Sequence, residues 1–209
     1  MDSKVALREL LVRYGIEQET AQERQFRTYL ELLEKWNSRI NLTASTQWSA
    51  VGVLFEEAIW AARHYPRTPL KHLDIGSGAG FPAIPLKILR PWVEFHLVDS
   101  RAKRCTFLET VASRLGLEGI KVSCQRIELY LQQISAPRFD IVSWKGLKLS
   151  TEALDLLLSS GHGSVLFWVF HGSELPLADP SQARRLKCLV HEIHPCHPGR
   201  QLSIFECFT

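Results

Sequence analysis

The chain has 209 residues and a formal charge of +3 from 25 Lys and Arg against 22 Asp and Glu, with 45% hydrophobic residues; this suits one folded α/β domain with an appendage and excludes disordered or collagen-like chains. The five cysteines are an odd number at irregular spacing, which argues against a disulfide framework, and the mild basicity alone does not name a nucleic-acid partner. No apolar run approaches the roughly 20 residues of a membrane span, and the charged opening MDSKVALREL lacks the apolar stretch of a signal peptide, so a cytoplasmic protein without membrane attachment is expected.

From Ser3 to about Arg39 the pattern is helical: Val5, Leu7, Leu10 and Leu11 define an apolar face that Phe26, Leu30, Leu33 and Trp36 continue. The polar run from Asn41 to Thr46 interrupts it, and residues 48–64 resume it with Val51, Leu54, Phe55, Ala58 and Ile59. Residues 1–66 therefore read as a helical extension packed on a core of residues 67–209. From Leu70 the period changes to short apolar runs at 70–75, 93–98, 120–124, 139–143 and 163–170, each followed by a helical stretch. That alternation implies βαβ units and a Rossmann-like parallel sheet covered on both faces. Two further β-like runs, 187–193 and 201–208, flank the turn-rich segment 195–199 and predict a terminal antiparallel hairpin.

The densest chemical signal is the segment His72 to Pro82, a strand entering a glycine turn and then a helix. Gly76, Ser77, Gly78 and Gly80 form a turn able to approach a ligand closely, with Gly78 expected to pass nearest to it and Pro82 in the first helical turn. The spacing differs from the dinucleotide G-x-G-x-x-G pattern, and Asp74, just before the turn, would repel a pyrophosphate but suit a cation. Both features favour S-adenosylmethionine, a sulfonium, over NAD. Asp99 ends the second strand 23 positions after Gly76, near the offset of about 20 at which an acid accepts from ribose hydroxyls. After the third strand, Ile127 and Glu128 stand where the next ligand-facing loop belongs, with Ile127 suited to pack on an adenine.

These residues carry a resemblance to a known family. The segments Trp36 to Ala44, Leu73 to Leu86, Leu97 to Ser100 with Lys103 to Leu108, and Arg126 to Glu128 are similar to those of the RsmG (GidB) family, whose members transfer a methyl group from S-adenosylmethionine to ring nitrogen 7 of a guanine in small-subunit (16S) ribosomal RNA. The resemblance covers most of residues 20–145. It implies a class I methyltransferase fold, a mostly parallel seven-stranded sheet with its last strand antiparallel, and the product S-adenosylhomocysteine. It also implies that Gly76, Phe81, Asp99, Ser100 and the pair Ile127 and Glu128 contact the cofactor. Arg101, next in the chain after Ser100, is a further cofactor-binding candidate. The partner implied is small-subunit ribosomal RNA or a ribosomal particle; the protein itself is expected to be a monomer.

This chain departs from the family pattern on the substrate side. Lys145 stands where the family has an arginine after the fourth strand, which keeps the charge but loses the planar fork. Leu54 replaces a histidine, Glu56 and Glu57 stand where one acid is usual, and His171 replaces a lysine. Lys145 is the candidate catalytic and substrate-binding residue, able to reach a phosphate or a guanine carbonyl, and Arg39 and Asn41 are further substrate candidates. Trp36 has the spacing of a packing residue. Diverged methylation of another RNA site or a small molecule, or a non-catalytic RNA-binding role, would follow if these changes had abolished the family substrate.

Other chemistries are weaker. Pro195-Cys196 has the residues of a cytosine-5 methyltransferase nucleophile but lies in the final hairpin. Cys188, His191, His194, Cys196 and His197 have zinc-like spacing, yet residues 188 and 191 point to opposite faces of a strand unless it bulges, so no metal is expected. The basic clusters Arg101, Lys103, Arg104 and Arg184, Arg185, Lys187 read more readily as solvated faces than as phosphate contacts.

Overall fold

The short apolar runs after Leu70 become strands in the computed structural model, which describes residues 2–133, 138–159, 165–176 and 185–207. These are β1 (Lys71–Ile75), β2 (Glu94–Asp99), β3 (Ile120–Cys124), β4 (Ile141–Lys145), β5 (Leu166–His171), β6 (Leu186–His194) and β7 (His197–Cys207). They form one sheet in the order β3-β2-β1-β4-β5-β7-β6, with β1 to β5 parallel and β7 antiparallel to both its neighbours. The strand order reverses between β1 and β4, so the crevice beyond their carboxyl ends is where such a sheet admits ligands.

Helices cover both faces, and the buried side chains divide accordingly. On one face α1 (Ser3–Arg13), α2 (Ala21–Ile40), α3 (Trp48–Ala61), α4 (Ala83–Leu89) and α5 (Ala102–Leu115) share an apolar cluster with Phe95, Leu97, Ile141, Trp168, Phe170 and Ile204. On the other, α6 (Ile127–Gln132) and α7 (Thr151–Ser159) pack with Leu73, Ile75, Val142, Trp144, Phe167 and Val169. Alternation along β4 separates Ile141 from Val142 and Trp144, as the two-residue period requires.

Caps fix the first two helices. Asp2 accepts the Lys4 N–H at the start of α1, and the Thr20 hydroxyl accepts the Glu23 N–H at the start of α2. Asn41 ends α2 in the left-handed region at φ 48°, a conformation asparagine adopts more readily than most residues. Val5 is 50% exposed, contrary to the face inferred for α1, and Ala6 joins Leu7, Leu10 and Leu11 in the interior. Val5 lies about 200° of helical rotation from Leu7, so it cannot share that side.

Most strand boundaries differ by a residue or more from the sequence reading, and two of the differences bear on the site. The fourth strand starts two residues later than expected, because Asp140 is held at the sheet margin by its carboxylate accepting the Lys71 N–H at 2.7 Å. Lys145 is consequently the last residue of β4, paired with Phe170, rather than a residue beyond the strand. In the terminal hairpin only Pro195 and Cys196 form the turn. The register passes from Ile193 opposite Gln201 to His194 opposite His197, so Pro198, Gly199 and Arg200 bulge from β7 instead of forming the loop. Phe208 and Arg184, and the first two positions of the predicted run 163–170, lie outside the described residues.

Candidate active site

The glycine turn sits at the carboxyl end of β1. Gly76, Gly78 and Gly80 have φ of 69°, 54° and 93°, values that disfavour any side chain. A Cβ on Gly76 would lie 2.2 Å from the Leu147 side chain, and one on Gly80 would lie 2.6 Å from Ile84; at Gly78 the nearest heavy atom would be 3.5 Å away. Backbone conformation rather than lack of room therefore demands glycine at 78. The N-terminal helices hold this turn in place: Tyr29 donates its hydroxyl to the Ala79 carbonyl at 2.6 Å, and the Phe81 ring packs edge-on against Phe55 with centroids 5.0 Å apart. Pro82 occupies the N-cap position of α4, after a cis Phe81-Pro82 bond, and is not its first helical residue.

Asp99, at the end of β2, ties the turn to the next strand. One carboxylate oxygen accepts the Gly78 N–H and the other the Arg101 N–H, each at 2.9 Å, while Arg104 approaches to 3.8 Å. Each carboxylate oxygen thus accepts one backbone N–H and keeps lone pairs for a ligand hydroxyl. Asp99 borders a cavity of about 440 Å³ with Gly76, Ser100, Arg101, Ile127, Glu128 and Lys145. Glu128 is steadied there by the Ser150 hydroxyl at 2.7 Å, a bond that lowers its pKa.

A second cavity, of about 350 Å³, lies on the other side of the turn. Its walls are Thr43 to Ser45 and Leu54 from the helical extension, Gly76 to Ala79 and Phe81 from the turn, and Arg200 from the β7 bulge. Asn37 shapes the first wall by accepting the Thr43 N–H at 2.7 Å. The two cavities share Gly76, Lys145 and Gly146.

Lys145 therefore stands at their junction. Its ammonium group meets the buried Glu57 carboxylate of α3 and lies 5.8 Å from the Phe170 ring centroid. Burial, reinforced by the positive charge of Arg200, lowers its pKa to about 7; the contact with Glu57 acts in the opposite direction. Glu56, one residue earlier, faces different partners: Arg13 at 3.1 Å, Tyr14 at 3.3 Å and His197 at 2.8 Å. It thus fastens α1 and α3 to the start of β7, directly before the bulge that carries Arg200.

The structure brings together most of the residues selected from sequence. Gly76, Asp99, Ser100, Arg101, Ile127, Glu128 and Lys145 line the first cavity, and Ser77, Gly78 and Phe81 line the second. Of the turn's glycines, Gly76 borders both cavities, whereas Gly78 borders only the second. Asp74 and Gly80 line neither. Alternation along β1 turns Asp74 to the same face as His72, where it is buried and accepts from Ser143 at 2.5 Å. Burial raises its pKa to about 7 against the opposing hydrogen bonds of Ser143 and Ser77. Buried and outside both linings, it does not face a cation in either cavity. His72 donates from Nε2 to Ser143 at 2.7 Å and accepts at Nδ1 from Tyr65, with burial lowering its pKa to about 3.

Arg39 and Asn41 are exposed and line neither cavity; Asn41 acts as the α2 cap that delivers Leu42 and Thr43 to the site. Trp36 packs on Phe107 with centroids 5.7 Å apart. Arg200, Thr43 and Glu57 are the participants that sequence reasoning did not select. Thr43 lay within the segment carrying the resemblance, whereas nothing local signalled Arg200. In the hairpin, β6 does shift register between Cys188 and Val190, yet among the described residues no group of three His, Cys, Asp or Glu side chains could hold a metal ion.

A family model for GidB, described as rRNA small subunit methyltransferase G, matches residues 22–191. This chain belongs to the GidB family. Relatives include the ribosomal RNA small subunit methyltransferase G of Streptococcus agalactiae serotype Ia, 39% identical over 142 residues that cover 66% of this chain and 60% of that protein. The protein of the same name from Staphylococcus epidermidis is 38% identical over 154 residues, covering 73% of this chain and 64% of its own. The matches thus span somewhat less than two thirds of these relatives' lengths. Among solved structures, a SAM dependent methyltransferase from Aquifex aeolicus aligns with a TM-score of 0.56 at 13% identity, covering 86% of this chain and 98% of that one. TrmK from M. capricolum, solved with S-adenosyl-homocysteine, aligns with a TM-score of 0.55 at 13% identity over 72% of this chain and 66% of its own. At such identities the GidB chain shares the fold of these proteins, a class I methyltransferase sheet preceded by helices.

Proposed function

We propose that this GidB protein is an S-adenosylmethionine-dependent methyltransferase that modifies ring nitrogen 7 of a guanine in small-subunit ribosomal RNA. The observation that carries the reading is the meeting of two cavities at Gly76, Lys145 and Gly146, one floored by the strand-end acid Asp99 and the other walled by the helical extension. A donor on one side and an acceptor base on the other would meet at that junction. The cofactor, when bound, supplies an electrophilic methyl carbon on a sulfonium; the guanine N7 lone pair forms the new bond as the carbon–sulfur bond breaks and its electrons stay on sulfur.

The chain's own residues contribute position and charge. Asp99 would accept from ribose hydroxyls, Ile127 would pack on the adenine, and the left-handed turn at Gly76 keeps side chains out of the transfer path. Orienting both reactants in this way is the main source of rate, because N7 already carries its lone pair and needs no general base. Lys145 and Arg200 are placed to donate to the acceptor base or an adjoining phosphate. Residues 1–66 then serve as the RNA-side wall of the catalytic core 67–209. Among the described residues no helix is long and apolar enough to cross a membrane, and a cytoplasmic enzyme acting on ribosomal particles is the reading we adopt. Incubation with S-adenosylmethionine labelled at the methyl group tests it: label should appear in small-subunit RNA as N7-methylguanine, and label confined to small molecules would favour a diverged substrate.

A further inference from the structure

Glu57 is 2% exposed, and its oxygens are unequal: one meets the Lys145 ammonium, while Oε1 has no hydrogen-bond partner among the described residues. A carboxylate with so little solvent is tolerated where a cation offsets its desolvation. Lys145 is that cation. The charged groups facing Lys145 are Glu57 from α3 and Arg200 from β7. From β5 it faces the uncharged Phe170 ring, and the following His171 bonds instead to Gly172 and Ser203.

This arrangement bears on the charge that methyl transfer creates. When N7 forms its bond to the methyl carbon and the carbon–sulfur pair returns to sulfur, no proton moves and the positive charge passes from sulfur to the purine ring. A bare ammonium donating to that ring would oppose the transfer, and the opposition is greatest away from solvent. Arg200 adds a second positive charge to the same region. We propose that Glu57 is a positioning residue for methyl transfer: it holds Lys145 as a hydrogen-bond donor at the junction of the two cavities and cancels its charge, so that the purine becomes cationic beside a neutral pair. This rests on the guanine acceptor proposed above. The adjacent acid Glu56 has a separate task, because its partners are Arg13, Tyr14 and His197 and none of them is Lys145.

The test follows the Lys145 side chain directly in the full chain, by NMR titration of lysines carrying carbon-13 at Cε, with the Lys145 signal identified by its loss in Lys145→Arg. Glu57→Gln should lower the Lys145 midpoint by about one pH unit or more, Glu57→Asp should lower it less, and Glu56→Gln should leave it in place. With cofactor affinity unchanged by calorimetry, Glu57→Gln should slow single-turnover methylation of small-subunit RNA about tenfold or more, and Glu57→Asp should restore part of that loss. Should the glutamine variant not fold, Glu57→Asp decides the matter by falling between wild type and Lys145→Ala in rate. An unmoved midpoint, or a moved midpoint with an unchanged rate, overturns this proposal alone. Absence of transfer to RNA by the wild-type protein, with the midpoint shift intact, overturns the functional reading and with it the use made of the pair.

Discussion

Gly78 donates its backbone N–H to the Asp99 carboxylate at 2.9 Å, joining the glycine turn after β1 to the end of β2 across 21 residues. One acid therefore both shapes the turn and borders the cavity expected to hold the ribose. Asp99→Ala should weaken S-adenosylmethionine and S-adenosylhomocysteine binding by about 1.5 to 3 kcal/mol, the value of hydrogen bonds to a charged acceptor. Calorimetric titration reads this directly; unchanged affinity would remove Asp99 from the site, and NAD should not compete.

The glycines should separate by role. Gly76→Val places a side chain against Leu147 at the junction of the cavities, and should abolish cofactor binding. Gly78→Val also should lose binding, because its conformation is strained and its side chain would project toward Arg104 at the wall of the first cavity. Gly80→Ala meets Ile84 and the Tyr29 hydroxyl instead, so its main effect should be a stability loss of about 1 to 3 kcal/mol. Thermal melts beside cofactor titrations distinguish the three; normal binding by Gly76→Val would show that the transfer path lies elsewhere.

Asp74 makes stability depend on pH in a defined direction. Its folded pKa is raised from 3.8 to about 7, so the folded state binds the proton more tightly than the unfolded chain. The resulting stabilisation is full below the unfolded value and is lost as pH rises through about 7. Asp74→Asn keeps an acceptor for Ser143 but cannot ionise. Denaturant unfolding should find the variant gaining on wild type between pH 4 and 7, and a difference that does not change with pH would mean that the carboxyl is not buried as described.

Lys145 should serve the substrate rather than the cofactor. Lys145→Ala leaves Glu57 buried without its cation, at a cost of about 3 to 5 kcal/mol in stability, and should lower RNA methylation while sparing cofactor affinity. Lys145→Arg should retain or raise turnover, since a planar guanidinium can hold Glu57 and still donate. The double change Lys145→Met with Glu57→Gln should recover stability without recovering turnover. Equal turnover in all these proteins would remove Lys145 from the reaction.

The strand-turn-helix signal from His72 to Pro82, the acid at Asp99 and the segment around Asn41 to Thr43 were legible because each is local: period, glycine spacing and resemblance act over a few residues. The sheet and its helical cover followed from the same periodicities. Asp74 was read by its chemistry alone, but strand alternation and the neighbours His72 and Ser143, the latter 69 residues away, decided that it faces the interior. Arg200 was hidden for a related reason. Pro198-Gly199 resembles a loop in sequence, and only pairing with β6 turns it into a bulge that carries the arginine to the site. Glu57 and Lys145, 88 residues apart, likewise meet only through the tertiary fold, which brings α3 within reach of the last residue of β4.

The most direct test of the central claim is transfer of labelled methyl from S-adenosylmethionine to purified small-subunit RNA and particles, followed by mapping of the modified base, with Asp99→Ala in parallel. The two-cavity account predicts a single labelled guanine bearing the methyl on N7 with wild-type protein, and sharply reduced label with the variant at limiting cofactor. Label on an exocyclic amine or on a pyrimidine, or equal labelling by both proteins, would contradict it.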